Sequence, residues 1–279
     1  MITPVTPPTR GLVLPCPASP SKASFSYKMT VGSEVSDNTL KLCANLFSSN
    51  YGIWGNQAAT ISKFTVAGKQ VKMTSARLQS QCSSHLESSV LVTCYIQVDP
   101  LESEHPQLYR HTFATVWDYG ENKVGWVMQL VVDEAVHQCY ITTHLLQALK
   151  CHTLFACVNI VGLVLSHPAA CNALAKCAAA NIKDVELDFI CQYAKGILAS
   201  SPISYLKATQ LRGSLFQDSY DNRAISSVFT KFYVDHTEPL AVLEQYKKKG
   251  QWCLDELLDR HEFLAVFPIA PVSPVCDNN

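Results

Sequence analysis

The chain of 279 residues is 48% hydrophobic and carries 22 Lys and Arg against 23 Asp and Glu, a formal net charge of −1. A sizeable core can be buried at this length without a metal or disulfide staple. The balanced charge, with no dense Lys/Arg stripe, argues against a nucleic-acid footprint and leaves a small molecule as the expected ligand.

Residues 1–28 read as a Pro-rich flexible arm, because Pro4, Pro7, Pro8, Pro15, Pro17 and Pro20 preclude a regular helix or central strand. Ser36 or Asp37 can cap a first helix carrying Leu40, Cys43, Leu46 and Phe47, ending before the glycines of Tyr51-Gly52-Ile53-Trp54-Gly55. A short helix follows Thr74. Three strand-like runs come next, Val90 to Val98, Leu108 to Trp117 and Val124 to Val132. The last two are joined by Asp118-Tyr119-Gly120-Glu121-Asn122, a hairpin-turn composition. Ile141, Leu145 and Leu149 then mark a helix, Val161 to Leu165 a strand, and His167-Pro168 a helix start with proline in its tolerated first turn.

The clearest periodicity places Leu187, Ile190, Cys191, Ala194, Ile197 and Leu198 on one helical face. A strand at Val228 to Val234, a helix from Glu238 to Lys249 and a strand at Phe263 to Phe267 complete the main domain, 29–268, before a tail at 269–279. This order implies an α/β fold whose sheet is mostly antiparallel at first and parallel later, flanked by helices.

The twelve cysteines include no Cys-x-x-Cys pair, so reduced and mostly buried thiols are expected, and no metal-ligand spacing occurs. Leu154 to Leu165 is too short for a membrane span and is broken by Asn159, so no membrane insertion is expected. Prolines stand where a secretory apolar segment would lie, which points to a cytoplasmic location.

Several words carry a resemblance: Leu42-Cys43-Ala44-Asn45-Leu46-Phe47 with Asn50-Tyr51-Gly52-Ile53-Trp54-Gly55, Ser166-His167-Pro168-Ala169-Ala170, Ser201-Pro202-Ile203-Ser204-Tyr205, Leu211-Arg212-Gly213-Ser214-Leu215-Phe216 and Val234-Asp235-His236. Together with the element order, they resemble the GNAT acyltransferase superfamily, in particular a fungal GNAT-like group, over roughly Asp37 to Phe267. The resemblance implies a V-shaped cleft and a loop whose glycines let backbone amides hold the coenzyme A pyrophosphate. The implied strand is Leu130-Val131-Val132, but the loop reads His137-Gln138-Cys139-Tyr140-Ile141-Thr142, with Gln138 and Tyr140 where the family has glycine. The helix after His167 also lacks the family's reprotonating tyrosine, since only Lys176 or Cys177 stands near that position.

Among polar residues, His167 is the foremost acid/base candidate, because ligands of open α/β sheets sit beyond the carboxyl ends of strands. Its structural alternative is a cap ahead of Pro168. His111 could face the cleft from its strand, or simply bond a neighbour. Tyr233, Asp235 and His236 form a compact group in which Asp235 could raise imidazole basicity, or a surface turn. Trp54, Trp117, Gln129 and Tyr140 are the candidate substrate contacts, with core packing the alternative for the tryptophans. If acyl-CoA binds, Leu130, Val131, Val132, His137, Thr142 and Thr143 are the expected contacts.

Three functions follow: a GNAT-fold biosynthetic enzyme that has lost acyl-CoA and performs a cyclisation, isomerisation or elimination on a hydrophobic intermediate without cofactor; an acetyl-CoA or other acyl-CoA N-acyltransferase with a divergent loop; and a non-catalytic binding protein.

Overall fold

A computed structural model describes residues 24–82, 85–97, 107–133, 141–216 and 223–272. Eight strands form one sheet: β1 (Ser24–Val31), β2 (Ser89–Gln97), β3 (Gln107–Tyr119), β4 (Asn122–Val132), β5 (Ile160–Leu165), β6 (Gln210–Arg212), β7 (Ser227–Phe229) and β8 (His261–Pro268). Their order is β1-β2-β3-β4-β5-β8-β7-β6. Only β4 and β5 pair in parallel, and every other pairing among the described residues is antiparallel. The expected parallel portion is therefore a single junction. It is where the sheet opens.

The strand β1 lies within the segment read as the end of a flexible arm, so the boundary drawn at residue 28 cuts a strand. Its Ser-Phe-Ser-Tyr alternation carries too little apolar signal to announce a strand, but pairing along Ser24 to Val31 with β2 supplies the hydrogen bonds. The strand expected at Val228 to Val234 is also shorter: β7 ends at Phe229, and Val234 makes only an isolated bridge with Trp54.

Among the described residues there are seven α-helices: α1 (Asp37–Asn50), α2 (Ser75–Cys82), α3 (Ile141–Lys150), α4 (Pro168–Cys177), α5 (Leu187–Ser200), α6 (Ser204–Lys207) and α7 (Thr237–Lys248). The Ser36 hydroxyl caps α1 by accepting from Thr39 N, and Leu40, Cys43, Ala44, Leu46 and Phe47 form its buried stripe. Burying each large side chain of that stripe contributes roughly 1.5–3 kcal/mol. On α5, Ile190, Ala194, Ile197 and Leu198 are buried, but Cys191 is exposed and falls at the edge of the apolar face rather than within it.

The helices α1, α2 and α5 pack against β3, and α3 packs against β3 and against α4, which lies on β5 and β8. The strand residues sort accordingly. Val127 and Val161 meet Leu146, Leu149 and Leu174 of α3 and α4, whereas Trp117 donates its indole N–H to Ser200 of α5. Among the described residues no helix is long and apolar enough to cross a membrane.

The eight described cysteines outside position 157 are free, and burial pushes the Cys43 and Cys82 thiols up to about 12 and Cys177 to about 11. Cys157 departs from the all-thiol expectation: it is disulfide-bonded. Peptide mapping after alkylation without reductant should find Cys157 in a cross-linked peptide and Cys43, Cys82 and Cys171 alkylated. Full alkylation of Cys157 would restore the all-thiol reading.

Candidate active site

The cleft originates in the way β4 meets β5. At one end the pair is clamped by Asn159, whose Oδ1 accepts from Lys123 N at 2.9 Å, whose Nδ2 donates to Asn122 Oδ1 at 3.0 Å and whose N–H donates to Lys123 O. The residue that interrupted the apolar run in the sequence thus fastens β5 to the hairpin. Parallel pairing then runs only from Val124↔Ile160 to Val127↔Leu163. Beyond it the register of β3 and β4 shifts, with Phe113 opposite Gln129 but Ala114 opposite Val127, so Met128 is a bulge. Among the described residues no pairing beyond Val127↔Leu163 joins β4 to β5, and the sheet is split there.

Alternation along the strands identifies what lines the split on the α1, α2 and α5 face. Register carries this face from Trp126 through Gly162 to Val266, and hence along β8 to Glu262; on β3 and β4 the same face holds His111 and Gln129. Glu262 is 8% exposed, and burial pushes its carboxyl up to about 7, with the neighbouring Thr230 hydroxyl acting in the opposite direction. Around it stand two phenols. Tyr51, at the end of α1, and Tyr205, on α6, are both pushed well above the usual range, chiefly by burial and further by the negative charge of Glu262. The Tyr205 hydroxyl donates to the sulfur of Met128 at 3.9 Å, which places it at the bulge. Tyr205 nevertheless keeps 40% of its surface accessible.

A carboxyl group poised near neutrality can take a proton and return it within the physiological range, the requirement for general acid–base chemistry. The tyrosines would supply hydrogen-bond donors beside it, since their raised values keep them neutral. Sequence reasoning missed this carboxyl. The only signal was an acid at the threshold of the apolar run Phe263 to Phe267, a place where a glutamate ordinarily faces solvent. Tyr51 and Tyr205 stood inside the family-like words without being singled out.

Of the expected site residues, His111 and Gln129 lie together on this face. His111 is fully buried, and burial lowers its imidazole to about 4, so it is neutral, with Nε2 2.8 Å from Gln129 Oε1. Nε2 carries the hydrogen and donates, which leaves Nδ1 as an acceptor with no partner among the described residues. A group held at about 4 is a poor base at neutral pH. His167 takes the capping role: Nδ1 accepts from Ala169 N at 3.1 Å, while Nε2 meets Glu238 Oε1 at 3.1 Å. Both ring nitrogens are thereby engaged.

Tyr233, Asp235 and His236 do not follow a strand end. Asp235 Oδ1 accepts from Thr237 N at 2.8 Å at the start of α7, so the carboxylate serves the helix rather than the His236 imidazole. Burial lowers His236, against the raising influence of Asp259 and Asp235. The Tyr233 ring lies 6.0 Å from the Arg260 guanidinium. Trp54 and Trp117, each 9% exposed, are core residues: Trp54 packs edge-on against Phe232, and Trp117 lies 6.0 Å from Trp126.

Leu130, Val131 and Val132 pair with Thr112, His111 and Arg110 on the open end of β4. Thr142 and Thr143 occupy the first turn of α3, half-buried. His137, Gln138 and Tyr140 lie outside the described residues. The helix α4, where the family resemblance implies a phenol near Lys176 or Cys177, contains no tyrosine, and its Asn172 amide donates to the Tyr246 hydroxyl of α7 at 3.0 Å. Among the described residues no group of three or more His, Cys, Asp or Glu side chains could hold a metal ion. A separate groove of about 510 Å³, between α5, α6 and β6, is lined by Cys191, Lys195, Lys207 and Phe216 among others and contains none of the expected site residues.

No protein-family model matches the chain, and no curated protein matches it in sequence. Among solved structures it is similar to the PaiA N-acetyltransferase of Thermoplasma acidophilum in complex with coenzyme A, at 10% identity over 58% of this chain and 91% of that one, with a TM-score of 0.37. It is also similar to glucosamine-6-phosphate N-acetyltransferase of Arabidopsis thaliana, at 15% identity over 58% of this chain and 95% of that one, with a TM-score of 0.35. The NatC complex bound to Gag peptide and CoA shows 10% identity over 55% of this chain and 82% of that one, with a TM-score of 0.36.

Proposed function

We propose that this chain is a GNAT-type enzyme that has given up acyl-CoA and moves protons on a hydrophobic small molecule held in the β4–β5 split. The observation that carries the reading is Glu262: a buried carboxyl poised at about 7 on the face where the sheet opens, flanked by Tyr51 and Tyr205. In this reading Glu262 takes a proton from the substrate and returns it elsewhere, as a cyclisation, isomerisation or elimination requires. Tyr51 and Tyr205 donate hydrogen bonds to a developing oxyanion. The Gln129 side chain is fixed by His111, so its amide orients the substrate rather than reacting.

Coenzyme A fits this chain only in part. The end of the β4–β5 ladder at Val127↔Leu163 leaves an opening in the sheet that suits an extended ligand arm, and that observation favours acyl transfer as the second reading. The helix that would carry the phenol returning a proton to the thiolate has no tyrosine, and Lys176 or Cys177 stands near its position. The two positions where the resemblance calls for glycine carry Gln138 and Tyr140, and any side chain at such a position hinders the approach of a pyrophosphate to the backbone amides. Each lost charge-assisted hydrogen bond costs roughly 1.5–3 kcal/mol, enough together to move micromolar affinity to millimolar.

Calorimetric titration with acetyl-CoA should therefore be flat at ordinary concentrations, and Gln138→Gly with Tyr140→Gly should recover part of the binding. Micromolar binding by the unaltered chain would put acyl transfer first. The proton-transfer reading is tested by incubating the protein in D2O with hydrophobic carbonyl compounds that raise its melting temperature. Glu262-dependent deuterium incorporation is expected. Ligands that stabilise the fold without exchange would instead indicate a binding protein, and the reading would fall.

A further inference from the structure

The segment between α1 and α2 takes no part in the chemistry proposed above, yet it is built as a rigid projection. Its base is a short antiparallel ladder: Trp54 N donates to Lys69 O, Gly68 N to Trp54 O and Val71 N to Gly52 O, around the Ile53↔Gln70 bridge. The base is rooted in the core through Trp54, Ala58 and Val71, all buried. Inside the loop, Thr65 ties the tip back through its hydroxyl, which donates to the carbonyls of both Ala58 and Ser62, and Phe64 N donates to Ser62 Oγ. This firmly held loop then presents apolar side chains to solvent. Phe64 is 81% exposed, and Ile61 and Val66 are each 50% exposed.

Charge around this tip is one-sided. From Asn38 to Leu86 the chain contains no Asp or Glu, while Lys41, Lys63, Lys69, Lys72 and Arg77 give that stretch a formal charge of +5 within a chain of −1. All five are exposed. Among the described residues none of them is in an ion pair. Lys63 sits over the Phe64 ring at 5.2 Å, and Lys72 is held by Gln70 Oε1 at 2.7 Å. Asp235 adjoins the base through its backbone, but its carboxylate is turned to the α7 N-terminus.

A rigid loop with a protruding aromatic tip, flanked by unneutralised lysines, matches the chemistry of a lipid interface: apolar side chains enter the headgroup boundary while cations meet anionic headgroups. Nucleic acid would use the lysines but gain nothing from Ile61 and Val66. We propose that the 53–71 loop docks this protein on the surface of an anionic lipid bilayer, with Phe64, Ile61 and Val66 entering the interface and Lys63, Lys69 and Lys72 contacting the headgroups. This is a surface attachment without a span.

The test is co-sedimentation of the full chain with vesicles of phosphatidylcholine alone and of phosphatidylcholine with about a third phosphatidylserine. Binding is expected to be at least about tenfold tighter to the anionic vesicles and to weaken with added salt. Phe64→Ser with Ile61→Ser should lower it by about tenfold or more at an unchanged melting temperature, because both side chains are exposed. Lys63→Gln with Lys69→Gln should lower it and flatten its salt dependence. Equal binding to both vesicles, no binding to either, or an unaffected Phe64→Ser/Ile61→Ser variant would overturn the proposal. Tighter binding to a short DNA duplex, insensitive to the Phe64 and Ile61 changes, would overturn it too and assign the surface to nucleic acid.

Discussion

Glu262→Gln is expected to make the protein more stable at pH 8 and, in the same molecule, to abolish proton transfer. The carboxyl is pushed from 4.5 to about 7 by burial, so the folded state holds this proton more tightly than the unfolded state does. Stability associated with the protonated form is fully present below about 4.5 and is lost as pH rises through about 7. The difference corresponds to about 3 kcal/mol at 1.36 kcal/mol per pH unit. Glutamine keeps the shape and has no charge to bury. Urea melts at pH 4.5 and pH 8 should thus show parent and variant close together in acid and separated by up to about 3 kcal/mol in base, the variant being the more stable. The D2O exchange rate should fall by about 10²–10⁴-fold, the usual contribution of a positioned acid or base. A variant less stable than the parent at pH 8 would show that the carboxylate is compensated in the fold, and the site assignment would lose its basis.

The second large effect is structural and concerns the closed end of the cleft. Gly162→Ala would place a methyl group 2.3 Å from Cζ3 and 2.6 Å from Cε3 of Trp126, inside the ring's own volume. Trp126 is fully buried and lies 6.0 Å from Trp117, so it has no open space to enter. Because a core already at crystal-like density yields little, the expected loss is about 3 kcal/mol, or about 6–12 °C in melting temperature. Gly120→Ala is the control. There the backbone φ is +60° but nothing lies within 4 Å, so only about 1 kcal/mol of left-handed backbone strain is expected. Restoring space with Trp126→Leu should recover part of the Gly162→Ala loss. Differential scanning calorimetry decides the matter: a Gly162→Ala melt within a degree or two of the parent would mean that the indole can move aside.

Local chemistry made the helices and inner strands legible. Ser36 as a cap, the fourfold spacing of Ile141, Leu145 and Leu149, and Pro168 after His167 each depend on neighbours within a turn or two, and each element stands where that spacing put it. The Gly120 turn did the same for β3 and β4. Edge elements were hidden for the converse reason: β1 and β6 are specified by partners far away in the chain, and their own residues show little period-2 contrast.

The candidate site was the least legible part. Histidines attract notice in a sequence because their ordinary values lie near neutrality, yet here burial lowers His111 to about 4, and His167 spends both ring nitrogens on a helix cap and on Glu238. Glutamate attracts no such notice, since its ordinary value keeps it charged and solvated. Only the tertiary structure decides otherwise for Glu262, by pairing β8 with β5 and packing α5 on β8, so that water is withdrawn from the carboxyl and its proton affinity rises. The sequence by itself determined the order of elements and the buried stripe on each helix, because these follow from periodicity and capping. The split between β4 and β5, and the carboxyl near it, were decided by strand pairing and by the meeting of Tyr205 with Met128, residues too far apart in the chain for any local pattern to join.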